Sequence, residues 1–294
     1  MIKNKNLGFL CTSTAFGGLE LNAVKLAGWL KQRGWNIYFF TVKDAALIKK
    51  ANEAGLKVVI IPKWLKYADF GGANALSIAC IKYEINNIII NTNRDLDLAA
   101  FYKTFFNKNI RLLYLQQMQL GVSKKDFIHT WRFNALNYWI APLQILAKQV
   151  KEKTKINPSK VNMIPLAIDV EKFANNNITR EEARKLLNVP EDAFIAGIIG
   201  RIDEQKGQLT LIKAIKILKT KGLNVKCLIV GSKTLNEADK YETAIREYIT
   251  ANVLENDVYL RPFNDKVEMV YKAFDVFVMA SKWESFGMVT VESM

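Results

Sequence analysis

Short apolar runs alternate with amphipathic stretches from one end of the chain to the other. Leu7–Cys11, Ile37–Val42, Val58–Pro62, Ile88–Thr92, Leu112–Leu115 and Tyr138–Ala141 are rich in β-branched and aromatic side chains and read as buried strands. Helical periods lie between them. The clearest is Glu20–Arg33, where Leu21, Val24, Leu26, Ala27 and Leu30 make an apolar stripe and Gly34 stands where a C-terminal cap belongs. A second series of strands follows at Phe194–Gly200, Val225–Gly231, Val258–Arg261 and Val276–Ala280, with helices near 208–221, 237–252 and 265–273. Strand-helix alternation of this kind predicts an α/β protein with doubly wound parallel sheets.

The chain has 294 residues, about half of them apolar, which is enough for two cores. The Asn-rich segment Lys172–Arg180 is the expected hinge, giving an N-terminal domain over 1–171 and a C-terminal domain over 172–294. No run of 18 apolar residues occurs and the first residues lack a signal-peptide cleavage pattern, so the expected location is cytoplasmic. Cys11, Cys80 and Cys227 are scattered without CxxC spacing, so neither a disulfide framework nor a zinc site is expected. A helix beginning at Met288 is barely two turns long when the chain stops at Met294.

Charge is uneven. Residues 1–170 hold 24 Lys and Arg against 10 Asp and Glu, whereas residues 171–294 hold 18 of each. A lobe with that surplus is drawn to anionic lipid headgroups, each basic side chain near the surface contributing about 1 kcal/mol. The competing reading is a solvated lysine-rich surface. No helix-turn-helix, RNP-like aromatic motif or zinc module accompanies the lysines, so nucleic acid is not the expected partner.

Three constellations can carry chemistry. Gly17-Gly18-Leu19-Glu20 stands between the first strand and the first helix, where backbone N–H groups left free at a helix start can meet an anion. Gly200-Arg201 and Lys206-Gly207 follow the strand Phe194–Gly200, at the carboxyl edge where parallel sheets present ligand-binding groups. There an Arg can fork two N–H bonds onto a diphosphate and a Lys can add a point charge. Finally, Trp283-Glu284-Ser285-Phe286-Gly287-Met288-Val289-Thr290-Val291-Glu292 places one carboxylate on a strand-to-helix loop and another on the helix that follows. Each has an ordinary structural counterpart: a flexible turn, a basic loop capping a helix, and acids favoured near a helix start.

These runs, with Val161–Asp169 closed by Phe173, resemble in order and spacing the signatures of retaining, nucleotide-sugar-dependent glycosyltransferases of the two-domain GT-B fold, the large family 4 or group 1. The resemblance implies two Rossmann-like domains with the donor held by the second, which here is incomplete at its C-terminus, since relatives continue beyond this point. It implies that Arg201 and Lys206, after Gly200, hold the donor diphosphate, and that Glu284 contacts the transferred sugar. Glu292 is then matched to the ribose, while backbone groups of Phe286, Gly287 and Met288 reach sugar or phosphate. Gly17, Gly18 and Glu20 line the acceptor side. The acceptor is a glycan or a lipid-linked molecule, and no metal or other cofactor is needed. Many relatives carry a histidine after the strand that here reads Arg111–Leu115; this chain has Gln116 and Gln117 there, and its one histidine, His129, lies further on. Gln117 and His129 are therefore acceptor-side candidates, as are Asn93, Arg94 and Asp95 by position. A nucleotide-sugar epimerase of the same fold and a catalytically silent nucleotide-sugar-binding chain stay open as alternatives.

Overall fold

The computed structural model of the chain describes residues 4–15, 17–63, 65, 68–232 and 240–294. It divides into two compact units, Met1–Pro165 and Leu166–Met294.

The first unit is built on a parallel seven-stranded sheet in the order β3-β2-β1-β4-β5-β6-β7. Its strands are β1 (Asn6–Leu10), β2 (Asn36–Thr41), β3 (Lys57–Ile60), β4 (Asn87–Ile90), β5 (Arg111–Leu115), β6 (Tyr138–Ala141) and β7 (Val161–Met163). The helices are α1 (Gly18–Gln32), α2 (Ile48–Glu53), α3 (Phe70–Lys82), α4 (Asp95–Phe105), α5 (Phe127–Asn134) and α6 (Gln144–Lys153). Successive strand residues point to opposite faces. Phe9 and Phe39 therefore join α1 and α2 in one core, while Leu10, Phe40, Ile88 and Ile90 join α3, α4 and α6 in the other. The chain runs outward from β1 to β3 and then crosses back to β4, so the loops after β1 and β4 leave for opposite faces. That is the switch point where doubly wound sheets bind ligands. Trp139 anchors the second core: it is fully buried, edge-on to Tyr114 (4.8 Å) and Phe133 (5.0 Å), and its indole N–H donates to Gln116 Oε1 at 3.0 Å. Such edge contacts add about 0.5–1.5 kcal/mol each beyond burial. Strand β7 lay outside the sequence expectation because three residues are too few to show alternation; it is held by pairing with Trp139–Ala141.

The second unit contains α7 (Val170–Ala174), α8 (Arg180–Leu186), β8 (Phe194–Ile199), α9 (Gln208–Thr220), β9 (Val225–Val230), α10 (Lys240–Ala251), β10 (Val258–Arg261), α11 (Val267–Lys272), β11 (Val276–Phe277) and α12 (Met288–Ser293). The parallel sheet has the order β10-β9-β8-β11. Helices α9 and α10 cover one face; α8, α11 and Val289 of α12 cover the other. The switch point here lies between β8 and β11. Asp275, just before β11, accepts from Arg184 Nη2 (2.6 Å), Arg180 Nη1 (2.9 Å) and the Ile195 N–H (2.7 Å), fixing β11 against β8 and α8. The strand expected over Val276–Ala280 is regular only at Val276–Phe277, although Val278 N–H still bonds Gly197 O at 2.8 Å. Lys172–Arg180 lies inside this unit, where Thr179 caps α8 reciprocally with Glu182. Residues 237–239 of the helix expected near 237–252 lie outside the described residues.

Among the described residues no helix is long and apolar enough to cross a membrane. The three cysteines are buried thiols; burial pushes Cys11 and Cys80 up to about 12 and raises Cys227 as well.

Candidate functional site

Parallel strands β8 and β11 are neighbours, so the loops leaving their carboxyl ends meet although they are some 80 residues apart in sequence. In the first loop, Asp203 is the organiser. Its Oδ1 accepts the N–H groups of Gln205 (2.8 Å) and Lys206 (3.1 Å), capping the 3-10 turn Glu204–Lys206, while its Oδ2 takes Arg201 Nε at 2.6 Å. One carboxylate thus sets both the turn that carries Lys206 and the direction of the Arg201 guanidinium, whose side chain is half exposed. Gly207 ends the turn at φ 75° and opens α9. A Cβ at that position would stand 2.1 Å from the Ala280 carbonyl oxygen, so both the left-handed backbone and the close approach require glycine.

The second loop closes on the first. Glu284 Oε1 meets Lys206 Nζ at 2.5 Å, Lys282 Nζ meets Glu204 Oε1 at 2.6 Å, and Lys282 N–H donates to Gln205 O at 2.8 Å. The hydrogen bond between Lys282 and Glu204 holds the ammonium above its usual range and the carboxylate below its own. Phe286 and Gly287 lead into α12, Gly287 at φ 76° and Met288 as its first residue. Glu292 stands further along α12 and accepts from Tyr271 Oη of α11 at 3.3 Å. The phenol is raised by burial and then by the Glu292 charge. Arg201, Lys206 and Glu284 therefore share one edge of the sheet, with Phe286, Gly287 and Met288 on the adjoining loop.

In the first unit the expected acceptor-side residues separate into two places. Gly17, Gly18, Glu20 and Gln117 gather at the start of α1. Here one expectation is corrected: the Gly17 N–H is not free, because Glu20 is buried beneath it and its Oε2 accepts that N–H at 3.0 Å. A carboxylate already complements the helix dipole there, which disfavours a second anion. Gln117 spans Asn22 Nδ2 (3.5 Å) and Leu19 O (3.4 Å), tying the loop after β5 to the first turn of α1. His129 is engaged locally in α5, its Nδ1 2.5 Å from Asp126 Oδ2 and its backbone N–H on Asp126 Oδ1 at 3.0 Å.

Sequence reading overlooked Asp203, for which the signal was available: Asp two and three residues before the N–H groups it caps. Asp95, an acceptor-side candidate by position, has its carboxylate buried and taken up by protein partners. Asp95 is fully buried at the start of α4 and accepts from Thr92 Oγ1 (2.6 Å), Thr12 N–H (3.0 Å), Thr12 Oγ1 and Lys63 Nζ (2.7 Å), which joins the ends of β1, β3 and β4. The Asp95 N–H in turn donates to Thr92 Oγ1 at 3.2 Å, so the two side chains lock the start of α4 to the end of β4. Among the described residues no group of three or more His, Cys, Asp or Glu side chains is placed to hold a metal ion.

The family model described as "Glycosyl transferases group 1" matches residues 179–294. The chain is 37% identical over 128 residues to the capsular polysaccharide biosynthesis glycosyltransferase CapM of Staphylococcus aureus, covering 43% of this chain and 31% of that protein. It is 29% identical over 140 residues to the Escherichia coli UDP-Gal:alpha-D-GlcNAc-diphosphoundecaprenol alpha-1,3-galactosyltransferase, covering 47% and 35%. These matches span about a third of the length of the curated relatives. Among solved structures, Anabaena Alr3699/HepE in complex with UDP and glucose superposes with a TM-score of 0.81 over 98% of this chain and 77% of that one, at 21% identity. A glycosyltransferase from Rickettsia africae gives 0.83 over 99% and 77%, at 18% identity.

Proposed function

We propose, from the premise that residues 179–294 belong to the group 1 glycosyl transferases and that the chain has the GT-B fold, that this protein moves a sugar from a nucleoside-diphosphate donor to a glycan or lipid-linked acceptor. The carrying observation is the convergence of Arg201, Lys206 and Glu284 at the β8–β11 switch point. Two cations at one sheet edge suit a diphosphate. An adjacent carboxylate suits sugar hydroxyls.

In this reading the bond between the sugar and its phosphate oxygen breaks, a bond to an acceptor oxygen forms, and the acceptor's proton leaves with the departing diphosphate. Attack from the face of the leaving group retains configuration. Arg201 and Lys206 take up the negative charge of the leaving diphosphate, each charge-assisted bond contributing about 1.5–3 kcal/mol, so the proposed chemistry uses no metal. Glu284 orients the sugar, and Glu292 is assigned to the ribose. Gly17, Gly18, Glu20, Gln117 and His129 are assigned to the acceptor side. Capsular polysaccharide and diphosphoundecaprenol-linked glycans, the contexts named for the two curated relatives, favour a role in surface polysaccharide or glycolipid synthesis at the inner face of a membrane. The basic first lobe is the part assigned to anionic lipid.

A thermal-shift panel of UDP, GDP and ADP with their sugar conjugates tests the site, since a ligand at about a hundred times its Kd stabilises by about 2.7 kcal/mol. Product analysis with and without acceptor then tests the reaction. Transfer only when acceptor is present supports the proposal. Donor altered without acceptor indicates an epimerase, and stabilisation without product a binding protein; either overturns it.

A further inference from the structure

Helix α3 is apolar on more than one side. Ala73, Leu76, Ala79 and Cys80 face the core of the first unit. Away from them, Phe70, Ile78 and Ile81 share a second face open to solvent, with exposed Asn74 between the first two; Phe70 is 65%, Ile78 59% and Ile81 75% exposed. This apolar face continues onto α4. Phe70 packs edge-on to Phe101 at 4.8 Å and Phe101 packs on Phe105 at 4.6 Å, with Phe105 64% exposed and Phe106 beside it.

The surroundings of this face are basic. Of the carboxylates between residues 57 and 111, Asp69 caps α3 through the Gly72 N–H, Asp95 holds Lys63, and Asp97 holds Arg132; all three are buried. Glu84 is the exposed one. Exposed Lys57 and Lys82 both lie over the Tyr83 ring at the end of α3, and exposed Lys108 follows Phe106.

We propose that the outward face of α3, with Phe105 and Phe106, is the surface by which this unit lies on an anionic lipid bilayer. An exposed apolar face bordered by lysines is the pattern of a helix seated in the plane of the membrane interface. Thirteen residues span about 20 Å, short of the roughly 30 Å hydrocarbon layer, so α3 lies along the surface and does not cross it. A second copy of the chain suits the face less well, because residues 1–165 carry 24 Lys and Arg against 9 Asp and Glu and repel their like. This inference rests on the lipid-surface part of the function proposed above and not on the transfer chemistry.

The test is co-sedimentation of the full chain, without nucleotide, with vesicles of phosphatidylglycerol and phosphatidylcholine in equal parts, and with phosphatidylcholine alone. Wild type is expected on the mixed vesicles and not on the neutral ones, with binding falling as salt is raised. Ile78→Glu/Ile81→Glu is expected to lower the bound fraction about tenfold while leaving the thermal transition unchanged, as both side chains face outward. A Lys57→Glu/Lys82→Glu variant provides a second reading with the apolar face intact and is expected to bind less. The proposal is overturned if wild type binds no vesicle, if it binds both kinds equally, or if the isoleucine variant binds as wild type does. A concentration-dependent dimer that Ile78→Glu/Ile81→Glu dissociates, without vesicle binding, also overturns it in favour of a second copy. Nucleoside-diphosphate titration of the same preparations separates failure here from failure of the donor site.

Discussion

Lys206 Nζ lies 2.5 Å from Glu284 Oε1, an ion pair that joins the loop after β8 to the loop after β11 at the carboxyl edge of one sheet. Each side chain is more than a quarter exposed, so the pair itself contributes at most about 1 kcal/mol to stability. Its importance is in which ligand atoms each partner can reach. Glu284→Gln frees Lys206 and leaves the diphosphate contact intact, so affinity for the nucleoside diphosphate stays level or rises while affinity for the nucleotide sugar falls about tenfold. Calorimetric titration with both ligands checks this; parallel losses for the two would contradict the division of roles.

Asp203 acts through Arg201. Asp203→Asn keeps an acceptor for the Gln205 and Lys206 N–H groups but loses the charged partner of Arg201 Nε. We expect a cap loss below about 1 kcal/mol for Asn and up to about 2 kcal/mol for Ala. Donor KM should rise severalfold with kcat little changed, and the same substitution should have no effect on donor binding in an Arg201→Ala background. An undiminished effect there would make Asp203 purely structural.

Gly207→Ala should be among the most damaging single changes in the second unit. The left-handed backbone alone costs a non-glycine residue about 1–2 kcal/mol, and the Ala280 carbonyl stands where the new methyl must go. A shift of the urea midpoint equivalent to more than about 2 kcal/mol is expected. A loss under about 0.5 kcal/mol would show that the two loops part readily.

Asp95→Ala should destabilise the first unit and spare the donor site. The buried carboxylate is the partner of Lys63, Thr12 and Thr92, and removing one member of a buried pair typically costs about 3–5 kcal/mol. Unfolding by tryptophan fluorescence checks the first part and nucleotide titration the second. Weakened nucleotide binding at a temperature where the variant is folded would give Asp95 a direct role.

Much of the fold was legible because its signals are local. The apolar runs of β1 to β6 and β8 to β10, the stripe of α1 and its terminator Gly34 at φ 82° are all set within a few residues. What stayed hidden depends on which strands become neighbours. Nothing near Lys206 announces a partner 78 residues away; the pairing follows from β11 lying beside β8, which only the completed sheet defines. Glu20, expected on the acceptor side, folds its carboxylate back to the Gly17 N–H only three residues away, a local contact of a helix start. Glu292 stands on the expected helix, yet meets Tyr271 through the packing of α12 on α11. Lys206, Glu284 and Glu292 take their directions from tertiary contacts, whereas Arg201 and Glu20 take theirs from partners two and three residues away.

The most direct measurement is titration of UDP, GDP and ADP into wild type and into Arg201→Ala/Lys206→Ala. If the switch-point cations grip the diphosphate, at least one nucleotide binds wild type and the double variant loses about a hundredfold or more. Equal affinity in the two proteins, with the variant's fold intact, would contradict the account.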